Sequence, residues 1–362
     1  MMYDAILLLG FGGPESPDEV RPFLERVTAG RGIPADRLDE VGRHYVTIGG
    51  ASPINSLNRA LRDSLAAGLT ERGYGIPVVL ANRNSPPFVP DVLAELAASG
   101  AHRLLALATS AYSSYSSCRQ YREDVGVALA EHPELDVSVV KVPPFAEFGW
   151  FAEATAELLA PVLAEPGRRP FVLFTTHSIP SSMARTSGPE PLWPMPESGE
   201  PGMYAAQHLV VARAATAGAA RQAGVETPPW RLVYQSRSGS PATPWLEPDV
   251  NDALAELAAD GTTDVVVVPI GFLSDHVEVI WDLDTEAAET ARGLGLRWTR
   301  VPTVGTHPTL IGGLTDLLQS YLDAESTRAP APGERCAANC CPTPRRPGAG
   351  SDPRPVIEGA FL

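Results

Sequence analysis

Eight short runs of almost unbroken apolar residues punctuate the chain. They lie at Ala5–Gly10, Pro77–Ala81, Leu104–Thr109, Val137–Val142, Phe171–Thr176, Leu232–Gln235, Val265–Phe272 and Leu296–Val301. Runs of this length without polar alternation suit parallel strands covered on both faces. Between them the apolar spacing lengthens to that of amphipathic helices, at Asp18–Val27, Leu57–Glu71, Val92–Ala98, Gln120–Ala130, Phe151–Leu163, Ala205–Ala219, Val250–Ala258 and Val277–Arg292. Strands alternating with helices predict an α/β fold built on parallel sheets. Four strands fall on either side of residue 145, which predicts two similar doubly wound domains, 1–145 and 146–305, each with a four-stranded sheet flanked by helices. A last helix is predicted over Pro308–Leu322 with Thr306 upstream as its cap, giving a C-terminal helical segment, 306–325.

Two stretches break the alternation. Residues 179–203 are proline-rich with little periodicity and read as a long loop, a feature that in compact domains is usually functional or disordered. Residues 326–362 are rich in Pro, Gly and Arg and read as a partly disordered tail with no core of its own, although they carry three of the four cysteines.

Composition narrows the function classes. With 362 residues, 44% hydrophobic and 20% charged, the chain is long enough for two domains and too apolar to be disordered throughout. Lys and Arg number 28 against 43 Asp and Glu, a net charge of −15, so the basic footprint of a nucleic-acid partner is missing. The longest apolar stretch, Val265–Leu273, is far short of the roughly 20 residues a membrane span needs, so no transmembrane segment is expected. The first residues lack the basic region of a signal peptide, and a cytoplasmic monomer is the expectation. Lysine occurs once, at Lys141, and the wealth of Ala, Gly, Pro and Arg fits a GC-rich genome.

Candidate chemistry gathers at strand ends, where open α/β sheets bind ligands. Gly10-Phe11-Gly12-Gly13 follows the first strand, but Glu15 stands where a dinucleotide fingerprint needs its third glycine, so these glycines suit a tight turn or close approach to a ligand. Thr175-Thr176-His177-Ser178 ends the fifth strand; an imidazole there titrates near neutrality and can ligate a metal, or simply bond to backbone. In Ser274-Asp275-His276-Val277-Glu278, Asp275 and Glu278 have the spacing of a capping box. Glu278, Asp282 and Glu286 then recur every fourth residue on one predicted helix face, with Asp284 and Glu289 nearby. That face is either solvated acid or a ladder of oxygen ligands leading a divalent cation inward. Arg237, after the sixth strand, suggests a nearby anion. Tyr112, Tyr115 and Tyr121, with Ser113, Ser114, Ser116 and Ser117, suggest a polar, aromatic rim for a large planar acidic ligand. Cys118, Cys336, Cys340 and Cys341 could hold one zinc or one [2Fe–2S] cluster as four thiolates, against a bland reading of free thiols.

Taken in order, Leu9–Pro14, Gly49–Asn55, Thr176–Pro180, Tyr234–Arg237 and Ser274–Glu278 resemble the motifs of the ferrochelatases, from about residue 4 to 325. The resemblance implies two Rossmann-like domains with a cleft between them and an enzyme of heme biosynthesis that inserts Fe²⁺, its substrate, into a porphyrin. It implies that His177 and Glu278 face the porphyrin as catalytic and metal-binding residues, with Asp282 and Glu286 as a relay behind them. Ser52 and Tyr121 match positions that contact the macrocycle or its propionates. The four cysteines resemble the cluster ligands of the actinobacterial branch, which implies a [2Fe–2S] cofactor and coproporphyrin III as substrate, giving coproheme. Two positions depart from relatives: Phe11 stands in place of a Tyr, and His44 in place of an Arg. The rival readings are protoporphyrin IX as substrate, a tetrapyrrole carrier without insertion activity, and a cobalt chelatase.

Overall fold

The computed structural model describes residues 3–30, 32–195, 198–238, 242–323, 336–337, 339–343 and 354–359. Nine strands are present: β1 (Ala5–Gly10), β2 (Val78–Asn82), β3 (Arg103–Ala108), β4 (Ser138–Lys141), β5 (Phe171–His177), β6 (Trp230–Gln235), β7 (Asp264–Val268), β8 (Arg297–Arg300) and β9 (Glu358–Gly359). They form two wholly parallel sheets, ordered β2-β1-β3-β4-β9 and β6-β5-β7-β8. The eight expected strands all form, because covering by helices on both faces lets them be apolar throughout; all six residues of β1 are buried. The first sheet has a fifth strand that the sequence does not announce. β9 comes from the tail, with Val140 facing Glu358 and Lys141 facing Gly359.

The helices are α1 (Pro17–Val27), α2 (Ala35–Thr47), α3 (Ile54–Glu71), α4 (Val89–Ala98), α5 (Gln120–Glu131), α6 (Gly149–Leu163), α7 (Ser181–Arg185), α8 (Gly202–Ala223), α9 (Val250–Ala259), α10 (Val277–Val279), α11 (Ala287–Gly293) and α12 (Pro308–Leu322). Three differ from expectation. α2 is unforeseen, α7 and a 3₁₀ turn at Glu190–Leu192 lie inside the expected loop, and the expected helix 277–292 is interrupted. Between α10 and α11 runs a π-helical stretch, Ile280–Glu286, and a second π turn, Tyr115–Arg119, precedes α5. Such wide turns inside helices often mark functional sites.

One core is shared by both sheets. Leu8 and Leu107 from the first and Phe174 and Val268 from the second pack into one apolar cluster with α3, α6, α8 and α12. The outer faces are covered separately, by α4 and α5 on the first sheet and by α9 and α11 on the second. α1 and α2 form a small apolar cluster of their own that reaches across to Val277, at the start of α10.

Candidate functional site

In the second sheet β5 lies between β6 and β7, so three strand ends stand side by side at its carboxyl edge. β5 delivers His177, β6 delivers Gln235 and Ser236, and the segment after β7 leads into Glu278. His177 Nε2 lies 3.7 Å from Glu278 Oε2, with side-chain exposures of 31% and 55%, so the pair is open to a ligand. His177 Nδ1 bonds to the Ser178 carbonyl. A ring nitrogen against a carbonyl must carry the proton, which leaves Nε2 with its lone pair free for a metal or a proton.

The π-helical stretch turns Asp282 toward this pair. Ser236 and Gln235 Nε2, the latter at 3.2 Å, both donate to Asp282 Oδ2. Ser236 makes its contact from a left-handed backbone, φ 60°, a conformation that costs an L-residue energy and recurs at functional sites. Burial pushes Asp282 up to about 7, opposed by the Ser236 bond and reinforced by the charges of Glu278 and Glu286. Asp282 therefore exchanges a proton near neutrality. Of the three carboxylates of the expected ladder, Glu278 stands on α10 and Asp282 and Glu286 on the π turn rather than along one α-helix. Glu286 accepts from Trp281 Nε1 at 2.8 Å, and the Trp281 indole stacks on His44 of α2 at 3.9 Å and 6°.

Several expectations resolve otherwise. Asp275 does not cap the helix; it pairs with Arg300 at 3.1 Å, and Arg300 also takes Asp284 at 2.6 Å, which removes Asp284 from the acidic face. Arg237 reaches a carboxylate of its own chain, Glu247, at 3.4 Å. The glycines after β1 serve internal packing. Gly12 has φ 81°, and a Cβ there would lie 2.5 Å from Ser85 Oγ. Ser52 is buried beside Gly13 and donates its N–H to the Pro14 carbonyl at 2.8 Å. Of the expected rim after β3, Ser116 is exposed and Tyr115 and Ser117 are half-buried, while the rest is packed inward. Tyr112 is 1% exposed and stacks on His208, while Ser113 and Ser114 are buried. Tyr121 is 5% exposed, packed in the outer core with Arg83 over its ring at 4.3 Å, so it supports Arg83 and presents no face to a ligand.

Residues after β3 instead position Cys118. The tail folds back, and all four cysteines are buried. Cys118 meets Cys336, Cys336 meets Cys340, and Cys340 Sγ lies 3.9 Å from Cys341 Sγ. Among the described residues no three His, Cys, Asp or Glu side chains close around a single metal ion. Arg122 holds the tail, donating to the Cys336, Ala337 and Ile357 carbonyls. Gly188 N–H donates to Cys341 Sγ at 3.0 Å, and Asn339 bonds to Glu190 at 2.7 Å. Next to Gly188, Ser187 Oγ accepts from Tyr204 N at 2.8 Å, and Tyr204 Oη donates to the His177 carbonyl at 3.0 Å. A short chain of bonds thus joins the cysteines to the strand end. Tyr204, Lys141, Arg122, Gln235 and Ser236 have no roles in the sequence reading; only the strand-end position of Gln235 and Ser236, within a quoted motif, signals them.

The residues so arranged are an imidazole, a carboxylate and a half-buried acid at the carboxyl edge of a parallel sheet. A Ferrochelatase family model matches residues 3–322, and the chain belongs to that family. It is 50% identical to the coproporphyrin III ferrochelatase of Leifsonia xyli subsp. xyli over 89% of this chain and 84% of that protein. It is 46% identical to the coproporphyrin III ferrochelatase of Propionibacterium freudenreichii subsp. freudenreichii over 99% of this chain and 97% of that one. Among solved structures, SirB from Bacillus subtilis with Fe³⁺ is similar at a TM-score of 0.47 and 13% identity, covering 87% of this chain and 94% of that one.

Proposed function

We propose that this protein inserts Fe²⁺ into coproporphyrin III, releasing two protons and giving coproheme. The observation that carries the chemistry is the 3.7 Å pair of His177 Nε2 and Glu278 Oε2 at an open strand edge, backed by a half-buried acid pushed up to about 7. His177 takes a pyrrole proton at Nε2 or gives that lone pair to iron, and Glu278 stabilises the charge that appears beside it. Asp282, with Glu286 behind it, passes protons or metal between this pair and solvent. Ser52, at the carboxyl end of β1, is the proposed contact to the macrocycle from the first sheet. The choice of coproporphyrin rests on the relatives named above. Among the described residues no helix is long and apolar enough to cross a membrane; action in the cytoplasm, as a monomer, belongs to the proposal.

The residues fit a [2Fe–2S] cofactor. Four buried thiols from two distant parts of the chain come together, and such a cluster needs two thiolates on each of its two irons rather than four around one ion. Cys118, Cys336, Cys340 and Cys341 would hold it; bound there, it supplies one-electron chemistry and a covalent staple for the tail.

The test is turnover without oxygen: protein, Fe²⁺ and either coproporphyrin III or protoporphyrin IX, followed by the visible absorption bands. Faster metallation of coproporphyrin is expected. Preference for protoporphyrin overturns the substrate, and binding without metallation of either makes the protein a carrier. Faster insertion of Co²⁺ than of Fe²⁺ makes it a cobalt chelatase.

A further inference from the structure

Lys141, the chain's one lysine, is 2% exposed at the end of β4. Its Nζ donates to the Val142 carbonyl at 2.9 Å and to Cys118 Sγ at 3.6 Å. Arg122 is 3% exposed and spends its donors on the carbonyls of Ile357 at 2.9 Å, Cys336 at 3.2 Å and Ala337 at 3.4 Å. The other buried cations are already paired, Arg119 with Glu123 and Arg168 with Asp264, each at 2.9 Å. No carboxylate among the described residues pairs with Lys141 or Arg122. Two buried cations without an anion are expensive. Both adjoin the cysteines, and neutral thiols offer them only weak acceptors.

We infer, on the cluster reading given above, that Lys141 and Arg122 are the counter-ions of the four-thiolate centre, with Lys141 setting its reduction potential. An oxidised [2Fe–2S] centre on four thiolates carries two net negative charges, which two buried cations match. Reduction adds a third negative charge. A cation in van der Waals reach of one ligand sulfur therefore favours the reduced form, since charge and hydrogen bonds to the sulfurs set such potentials. Arg122 is also bound to the tail backbone, so its loss would mix two effects. The Lys141 side chain touches the tail through no described hydrogen bond, and its replacement isolates the electrostatic effect.

The experiment uses the full chain purified without oxygen, as wild type, Lys141→Met and Lys141→Arg, with iron and sulfide counted and the potential found by redox titration of the visible spectrum. Lys141→Met is expected to keep its colour while its ratio of oxidised to reduced cluster at fixed potential rises at least tenfold, about 59 mV downward for a one-electron couple. Lys141→Arg should stay near wild type. With iron removed, Lys141→Met should melt at or above wild type, because an unpaired buried charge is gone; with iron bound it should melt below. If Lys141→Met assembles no cluster and Lys141→Arg does, the charge is needed for assembly, which also supports the inference. A cluster in wild type and Lys141→Met with equal potentials overturns the counter-ion role and leaves the cluster standing. Loss of the cluster in both variants makes Lys141 a packing residue. A wild type without iron and sulfide overturns the cluster reading and the inference with it.

Discussion

Replacing Asp282 by Asn should stabilise the protein, and only at the upper end of the pH range. The carboxyl titrates at about 7 in the fold against an ordinary 3.8, because burial penalises its charged form. Below pH 4 the group is protonated in folded and unfolded chains alike and contributes nothing. Between pH 4 and 7 the unfolded chain loses this proton while the fold keeps it, so stability falls as pH rises. Above 7 the fold must bury the charge, at a cost of about 4 kcal/mol from 1.36 kcal/mol per pH unit. Asn keeps an oxygen for Ser236 and Gln235 to donate to and never ionises. Urea unfolding of wild type and Asp282→Asn from pH 4 to pH 8 checks this: curves that coincide at pH 4 should separate by up to about 4 kcal/mol at pH 8. A difference that does not grow with pH, or an Asn variant less stable at pH 8, would refute the assignment of a buried, near-neutral acid. The same variant should slow iron insertion, since Asn cannot carry a proton.

His177→Ala should cut insertion at least about a hundredfold, the lower end of what a positioned acid–base group supplies, while porphyrin binding, followed by fluorescence quenching, persists. Loss of binding with normal turnover per bound porphyrin would make His177 a binding residue. Glu286→Ala should raise KM for iron more than KM for porphyrin, and equal effects on both would count against an acidic path. Gly126→Ala should lift the tail, because a Cβ there would lie 2.6 Å from the Pro355 carbonyl oxygen and 2.8 Å from Val356 Cα. Overpacking of that kind costs about 1–3 kcal/mol, and limited proteolysis should cut the tail of this variant faster than that of wild type.

Buried parallel strands announce themselves, because covering on both faces leaves nothing to alternate, so β1 to β8 were legible from apolar runs alone. β9 was not. Two residues, Glu358 and Gly359, beside prolines and glycines have no strand signal; their pairing depends on Arg122 gripping the Ile357 carbonyl. α2 escaped notice because it carries Gly42 and buries little besides Leu38 and Tyr45. The π turn could not be read, since its carboxylates have the same spacing whether the turn is α or π, and the choice falls with tertiary contacts such as Ser236 to Asp282. Asp275 shows the opposite failure: a capping box in sequence lost its carboxylate to Arg300, over twenty residues away in the chain. Strand-end positions offered His177 and Glu278 only as separate candidates, and their juxtaposition was expected from the family resemblance alone. That Tyr112 and Tyr121 are buried could not be read, because composition does not tell a buried aromatic from an exposed one.

The tail strand has a bearing on how the molecule comes to be folded. β4 would be the outer strand of its sheet until Glu358 and Gly359 arrive, and these are synthesised long after it. During translation the unpaired amides and carbonyls of Val140 and Lys141 stay open to any passing strand, the hazard that exposed sheet edges bring. Closure joins residues from distant parts of the sequence, which makes it a late and slow event. The chain is therefore most prone to aggregate in the interval between the folding of β1 to β4 and the docking of Glu358 and Gly359.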